Sequence, residues 1–395
     1  GIMQESDYTR NNLSLKAKFK PLKGLTIGAS VRYTNTTVLG SGANTADDAG
    51  SKTESRVRNA IAYVPFEPLF KDQSSIDDEE SFGSMYDPIT TISDNYKFKR
   101  DNKFNMQAYA AYKFLKHFTL RTEVGYEYRN TSTDRFYGPT AYYSRAGDGY
   151  SAVGATGYSS AMKTDLTSSR LRNTNTFEYK QRYNGGHNFS ILLGEETVVD
   201  KGTEFKFTGF GYEGHYSGAE VFQNLGLAKD MTKTQYIDPT DNMLSFFARA
   251  NYDYKGRYFV TATFRADAST RFNKENQWGY FPAAAIAWRL SDEPFMRSAA
   301  RAAKLSNLKF RFSYGVAGNN NVDLGYLRLD YLINTSANIP LSAFSSQNYL
   351  TAGGADKIAA NPNLKWETTT TRDFGIDYGF FNDRLSGALD LYWNS

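Results

Sequence analysis

From Ser245 the chain alternates without a break. Even positions carry Phe246, Ala248, Ala250, Tyr252 and Tyr254, and odd positions carry Ser245, Phe247, Arg249, Asn251, Asp253 and Lys255. After Gly256 the pattern resumes, with Tyr258, Val260, Ala262, Phe264 and Ala266 opposed by Thr261, Thr263, Arg265 and Asp267. A period of two sustained over ten or so residues is a strand with one apolar and one polar face. No helix can present these residues coherently, because side chains on one helix face recur every three to four positions.

The same rhythm recurs along the chain. Leu13, Leu15, Ala17 and Phe19 oppose Ser14, Lys16 and Lys18, and Leu25, Ile27, Ala29, Val31 and Tyr33 oppose Thr26, Ser30 and Arg32. It runs through 104–114, 118–128, 168–182, 186–200 and 280–290. It returns at Leu308, Phe310, Phe312, Tyr314 and Val316, then at Phe374, Ile376, Tyr378 and Phe380, and ends with Leu385, Leu389 and Leu391. The pattern predicts twelve strands. Short turns near 21–24, 116–117, 183–186, 255–256 and 382–383 alternate with long connections over 38–94, 134–167, 201–241 and 318–365, with an exception near 270–277. One short-side link, 291–306, reads as a brief helix over 297–304.

A soluble β-sandwich also alternates, but its strands average about five or six residues and its loops show no long–short asymmetry. Strands of ten or more residues with short turns at one rim and long loops at the other fit a transmembrane β-barrel. Aromatic residues make up 15% of a chain whose mean hydropathy is −0.57. Many of them crowd the strand ends, among them Phe19, Tyr33, Phe114, Phe118, Tyr128, Tyr254 and Tyr258, as an interfacial girdle requires. The fold expected is all-β: an antiparallel transmembrane barrel wall whose apolar row faces lipid and whose polar row faces the lumen. Arg249, Arg265, Asp267, Lys309 and Arg311 are its lumen-facing candidates.

Other chemistry is sparse. With no cysteine there is no disulfide scaffold, thiolate metal site or cysteine nucleophile. No run approaches the roughly 18–20 apolar residues of a membrane helix. The net charge of +4 is spread evenly, with no basic stripe for a nucleic acid. The three histidines, His117, His187 and His215, read as solvated turn and loop residues. No feature selects a serine to complete a triad with His187 or His215. Gly209, Gly211 and Gly214 match the spelling of a dinucleotide fingerprint, yet no βαβ unit surrounds them. Neither the acidic run 77–80 nor the run 319–323 has the position pattern of a calcium loop, so no metal is expected. Loop aromatics are the better binding candidates: Tyr142, Tyr143, Phe210, Tyr212 and Tyr216 for substrate, with Tyr150 and Tyr158 beside them. Flat rings with a polar tip suit sugar faces or peptide side chains, although rings of this kind also pack loops together.

Four segments then carry a resemblance: residues 12–27 (NLSLKAKFKPLKGLTI), 278–296 (WGYFPAAAIAWRLSDEPFM), 308–320 (LKFRFSYGVAGNN), and 361–371 (NPNLKWETTTT) leading into 381–392 (FNDRLSGALDLY). Together, and in that order, they resemble the SusC/RagA class of TonB-dependent outer-membrane transporters. The resemblance implies a barrel of about 22 strands filled by a plug. It also implies a SusD-like lipoprotein as outer cap, energy delivered through TonB, a location in the bacterial outer membrane, and oligosaccharides or oligopeptides as cargo. No cofactor and no catalytic residue are implied. Against the complete family pattern, the signal peptide, TonB box, plug, first strands and aromatic-terminated final strand are not in this sequence. The expectation is therefore a central slice of the barrel. An open arc would leave unpaired edges in hydrocarbon, so the alternative is a smaller closed barrel acting as a passive pore or a barrel enzyme.

Overall fold

A computed structural model describes residues 5–40, 94–138, 159–212, 217–237, 241–322 and 363–395, with the backbone alone of short strands at 331–334 and 349–352. One antiparallel sheet dominates. Its strands are β1 (Asp7–Leu22), β2 (Leu25–Leu39), β3 (Asn95–Phe114), β4 (Phe118–Tyr137), β5 (Ser159–Tyr183) and β6 (His187–Tyr212). They continue with β7 (Asp230–Ile237), β8 (Asp241–Tyr254), β9 (Tyr258–Ser269), β10 (Trp278–Arg289) and β11 (Leu305–Asn319). After the isolated hairpin β12 (Tyr331–Asn334) and β13 (Tyr349–Ala352) come β14 (Glu367–Phe380) and β15 (Leu385–Asn394). Twelve strands form a meander in which each neighbour in sequence is a neighbour in space, and β7 pairs with the upper part of β6 beside it.

The alternation explains the faces. In the β8–β9 pair, Phe246 opposes Ala266 and Ala248 opposes Phe264 on one face, while Ser245 opposes Asp267 and Phe247 opposes Arg265 on the other. The apolar face is not covered by the protein: Leu15 is 61% exposed, Ile286 55% and Phe264 48%. A soluble protein rarely displays so large a contiguous apolar surface, whereas a barrel wall must. No helix among the described residues is long and apolar enough to cross a membrane.

Short hairpins close the lower rim. Their tight reversals use left-handed backbone at Leu115 and Lys116 (φ 48° and 65°) and at Lys255 and Gly256 (52° and 65°), the twist that hairpins favour. The longer lower link contains α2 (Arg297–Ala302) behind two 3-10 turns. Glu293 anchors it, accepting from Trp288 Nε1 at 3.1 Å and from Arg257 Nη1 at 3.3 Å.

At the upper rim the strands run further than their apolar alternation does. β4 continues to Tyr137 and β5 begins at Ser159, inside the connection expected over 134–167; β6 continues to Tyr212, inside the one expected over 201–241. At 25 and 26 residues, β5 and β6 far exceed the ~9–11 needed to cross a bilayer. Beyond the membrane neither face meets hydrocarbon, so the two-residue hydropathy signal fades while the hydrogen-bonded ladder continues. The tops of β3–β6 hold a small core of Phe136, Ala161, Tyr212, Val221 and Ala228. Helix α1 (Gly218–Val221) seals it, and Ser217 and Glu220 close a capping box at its start. That hydrogen bonding holds the Glu220 carboxyl below the usual range.

Candidate functional site: a charged cavity on the polar face

The polar residues of β1–β6, β8 and the 270–272 turn converge on a cavity of about 1320 Å³ near the upper rim. Arg10, Arg32, Lys103, Arg129, Arg170 and Arg271 line it, with Glu127, Asp200 and Asp241. A second cavity of about 470 Å³ adjoins it and reaches Gln107, Arg172 and Glu196. Each basic residue but Arg271, which comes from the turn after β9, arrives by strand parity, and register then sets its height on the wall.

Most of these cations are held by the wall. Arg170 makes a two-pronged pair with Asp200 across β5 and β6, at 2.7 and 2.9 Å. Arg129 grips Asp101 at 2.7 and 3.1 Å, and Thr131 donates to the same carboxylate at 2.9 Å. Arg271 pairs with Asp241 at 2.7 Å and donates to the carbonyl oxygen of Val322 at 3.2 Å. Planar guanidinium–carboxylate forks of this kind fix orientation as well as charge. Arg10 donates only to Asn12 Oδ1, at 3.2 Å, and among the described residues Arg32 has no carboxylate partner. The cavity thus presents fixed ion pairs together with Arg10, Arg32 and Lys201, which have no carboxylate partner among the described residues.

The five lumen-facing candidates lie on this same polar face, below or beside the cavity. Arg265 pairs with Asp267 at 2.7 and 2.9 Å, donates to buried Ser245 at 2.9 Å and approaches Glu196 at 3.5 Å. Arg311 bridges three strands, reaching Asp377 at 2.9 Å and Asp390 at 2.7 Å. Arg249 donates to Asn251 at 3.1 Å, and the Lys309 ammonium sits 5.1 Å from the centre of the Phe259 ring. The contacts of Arg265 with Ser245 and Glu196 and those of Arg311 cross between strands, whereas Arg249 bonds within β8.

The aromatic candidates are placed differently. Tyr142, Tyr143 and Tyr216 lie outside the described residues. Phe210 and Tyr212 belong to β6 rather than to a loop. Tyr212 is 2% exposed and donates its hydroxyl to the carbonyl oxygen of Leu225 at 3.2 Å. Burial pushes its phenol up to about 12. Its ring therefore packs the rim core instead of facing the mouth, because β6 extends past the membrane and α1 folds over it. Arg10, Lys103, Arg129, Arg170 and Arg271 were not singled out from the sequence. Parity put them on the polar face, but only the register between strands gathers them at one height.

The histidines, glycines and asparagines also find structural places. His117 Nδ1 lies 3.3 Å from the carbonyl oxygen of Lys180, His187 Nδ1 lies 2.7 Å from the Tyr252 hydroxyl, and His215 falls outside the described residues. Gly209 and Gly211 sit in antiparallel β6, with no parallel unit around them. Asn319 donates to Glu367 at 2.9 Å and Asn320 to Ser269 at 3.2 Å, so this run ties neighbouring strand tops together. Residues 77–80 are outside the described residues. No group of three potential metal ligands occurs among the described residues.

A family model described as "TonB dependent receptor-like, beta-barrel" matches residues 58–395. The chain is 36% identical over 211 residues to the TonB-dependent receptor SusC of Bacteroides thetaiotaomicron, covering 53% of this chain and 19% of that one. It is 28% identical over 404 residues to the TonB-dependent receptor P39 of Formosa agariphila, covering 99% of this chain and 34% of that one. The chain thus spans about a fifth to a third of the length of these curated relatives. Among solved structures, the RagAB peptide transporter superposes over 98% of this chain and 40% of its own, with a TM-score of 0.73 and 20% identity. At that identity the likeness establishes a shared fold.

Proposed function

Because this chain belongs to the TonB-dependent receptor-like β-barrel family of the bacterial outer membrane, we propose that it forms part of the wall of an active importer. The cargo is an oligosaccharide or oligopeptide, a SusD-like lipoprotein covers the outer mouth, and TonB supplies the energy. The observation that carries this reading is the division of labour in the sheet. One face offers a mainly apolar surface to lipid, and the other gathers ionic groups around a cavity of about 1320 Å³ near the long-loop rim. The relatives named SusC and RagAB support it.

In this reading the loops over 38–94, 134–167, 201–241 and 318–365 are extracellular. Tyr142, Tyr143, Phe210 and Tyr216 contribute to the mouth, and Tyr212 positions the rim beneath them. Arg249, Arg265, Asp267, Lys309 and Arg311 keep the lumen wall rigid while cargo passes. No covalent step is involved, so the protein is not an enzyme.

The test is uptake by intact cells. Strains with and without the full-length gene are offered panels of fluorescent oligosaccharides and oligopeptides, with and without a protonophore. Gene-dependent, protonophore-sensitive accumulation of at least one class is expected. Accumulation that ignores the protonophore would point to passive diffusion through a pore, and no gene dependence for either class would remove the proposal.

A further inference from the structure

The lipid-facing surface has an interruption that the lumen does not explain. Around the upper edge of the apolar band the outward residues are aromatic on most strands: Tyr33 on β2, Tyr128 on β4, Phe246 on β8 and Trp278 on β10. Phe246 and Trp278 stack with ring centres 6.3 Å apart. On β5 and β6, in register with Phe246 and below the level of Tyr128, the outward positions are Asn173, Asn175, Glu195 and Thr197, paired as Asn173–Thr197 and Asn175–Glu195.

Apolar residues border this polar island except where Thr122 of β4 opposes Asn175. The next outward pair above it is Leu171–Val199, and the next below is Phe177–Leu193. Val124 opposes Asn173 on one side and Phe246 opposes Glu195 on the other. Glu195 lies eight positions from His187, which pairs with Tyr254 at the lower girdle. That is about 26 Å along the strand, or about 20 Å along the membrane normal at a tilt of about 40°. Within an apolar band of about 25 Å, the island sits about 5 Å below its upper edge, in the outer leaflet. Both flanking strands, β4 and β8, are in place, so the surroundings of the island on this face are complete.

The hydrogen bonding leaves the island rich in acceptors. Asn175 Nδ2 donates both to Asn173 Oδ1, at 2.7 Å, and to Glu195 Oε2, at 2.9 Å. Thr197 spends its hydroxyl proton on Glu195 Oε1 at 2.9 Å, and Asn173 Nδ2 turns back to the carbonyl oxygen of Glu123 at 3.2 Å. What faces the bilayer is Glu195 and Asn175 oxygen. Acceptors at membrane depth need donors, since polar groups left unpaired in hydrocarbon are costly. Ester-linked phospholipid chains bring only further acceptors at this level, and their amine headgroups lie outside the band.

A groove of about 470 Å³ continues downward from Glu195 and Asn175 between Tyr112, Leu120, Phe177 and Leu193, with Ala110 and Thr122 at its floor. Its size lies within the range of small-ligand sites, and its walls suit an acyl chain. We propose that the island and groove form a site for an outer-leaflet lipid whose acyl chains are amide-linked and hydroxylated, the chemistry of lipid A. The N–H and O–H of the lipid donate to Glu195 and Asn175, and one chain lies in the groove.

Native mass spectrometry of the full-length protein extracted in mild detergent tests this directly. Delipidated wild type and the Glu195→Leu and Asn175→Leu variants are titrated with purified lipid A or with phosphatidylethanolamine. Wild type is expected to retain lipid A in preference to the phospholipid, and each variant to retain at least tenfold less lipid A with unchanged phospholipid binding. Heat-modifiable migration on gels checks assembly. If Glu195→Leu fails to assemble, Thr197→Val, which removes one anchor of the carboxylate, carries the same expectation in milder form. Equal lipid A retention by wild type and the assembled variants would overturn the site, as would equal retention of the two lipids by wild type. So would a mass shift showing that Glu195 instead holds a second copy of the chain.

Discussion

Trp366 donates its indole N–H to the carbonyl oxygen of Gln277 at 2.8 Å, joining positions 89 residues apart. The ring also packs 5.4 Å from Phe272 and edge-on, 5.2 Å, from Phe281. The approach needs glycine on two sides, since a Cβ at Gly279 would lie 2.5 Å from the Phe281 ring and one at Gly318 only 2.1 Å from it. The segment 363–371 is thus anchored at the tops of β9, β10 and β11.

Removing that anchor should destabilise the rim. Trp366→Ala is expected to cost about 2 kcal/mol, below the usual range for a buried Trp because this ring is half-buried. Trp366→Phe keeps the ring contacts and should cost about 1 kcal/mol for the lost hydrogen bond. Urea unfolding of the full-length protein in micelles provides the check, and indistinguishable midpoints for the two variants would contradict the account.

Arg311 holds two carboxylates that oppose each other without it. Arg311→Ala should lower stability by roughly 1 kcal/mol, a modest figure because all three side chains are partly exposed. Adding Asp377→Asn and Asp390→Asn to the same chain should recover most of the loss. Strictly additive losses would mean that the three groups do not act as one unit.

Arg32 and Arg265 should separate binding from architecture. Arg32 has no carboxylate partner among the described residues, whereas Arg265 touches Asp267, Ser245 and Glu196. Arg32→Ala is expected to reduce cargo uptake by up to about tenfold, equivalent to about 1.4 kcal/mol, with normal assembly. Arg265→Ala should lower the yield of heat-resistant barrel. Quantifying both readouts for both variants decides it, and a matching profile would erase the distinction.

Acid should loosen the lower link. Hydrogen bonds from Tyr258 and Trp288, and the nearby Arg257, hold the Glu293 carboxyl below the usual range against the opposing effect of burial. A depressed folded value means that the contribution is fully present above the unfolded value of about 4.3. It is lost as pH falls through the lower folded value. Proteolysis within 290–304 by an acid-active protease should therefore accelerate as pH drops from 5 towards 3. Glu293→Gln should flatten that dependence, and a pH-independent wild type would refute it.

How much of this could be read from the residues follows from where water lies. Between the girdles one face of every strand meets hydrocarbon, so Phe246, Phe264 and Ile286 announce their strands by parity alone. Above the membrane the extensions of β4, β5 and β6 have no hydrocarbon-facing side, and α1 covers only their tops, so their polar stretches read like loops. Tyr212 was misplaced for this reason. The charged cavity was half legible: parity put Arg129 and Arg170 on the polar face, but their shared height depends on pairing register, which no local pattern encodes, and Arg271 comes from a turn. The Asn175–Glu195 island was hidden differently, because two weakly alternating strands contradict their apolar neighbours only once they are laid side by side.

The meander order has a consequence for how such a wall can change over time. Along the twelve-strand path each strand pairs only with the strands before and after it, so changes at the rim that spare those strands leave the ladders of the path intact, even where an excursion such as β7 adds a ladder of its own. Contacts are local along the chain, which keeps hairpin-by-hairpin assembly accessible whatever the excursions contain. The rim is in this sense interchangeable equipment mounted on a ribbon, and it can be refitted while the ribbon beneath it is kept.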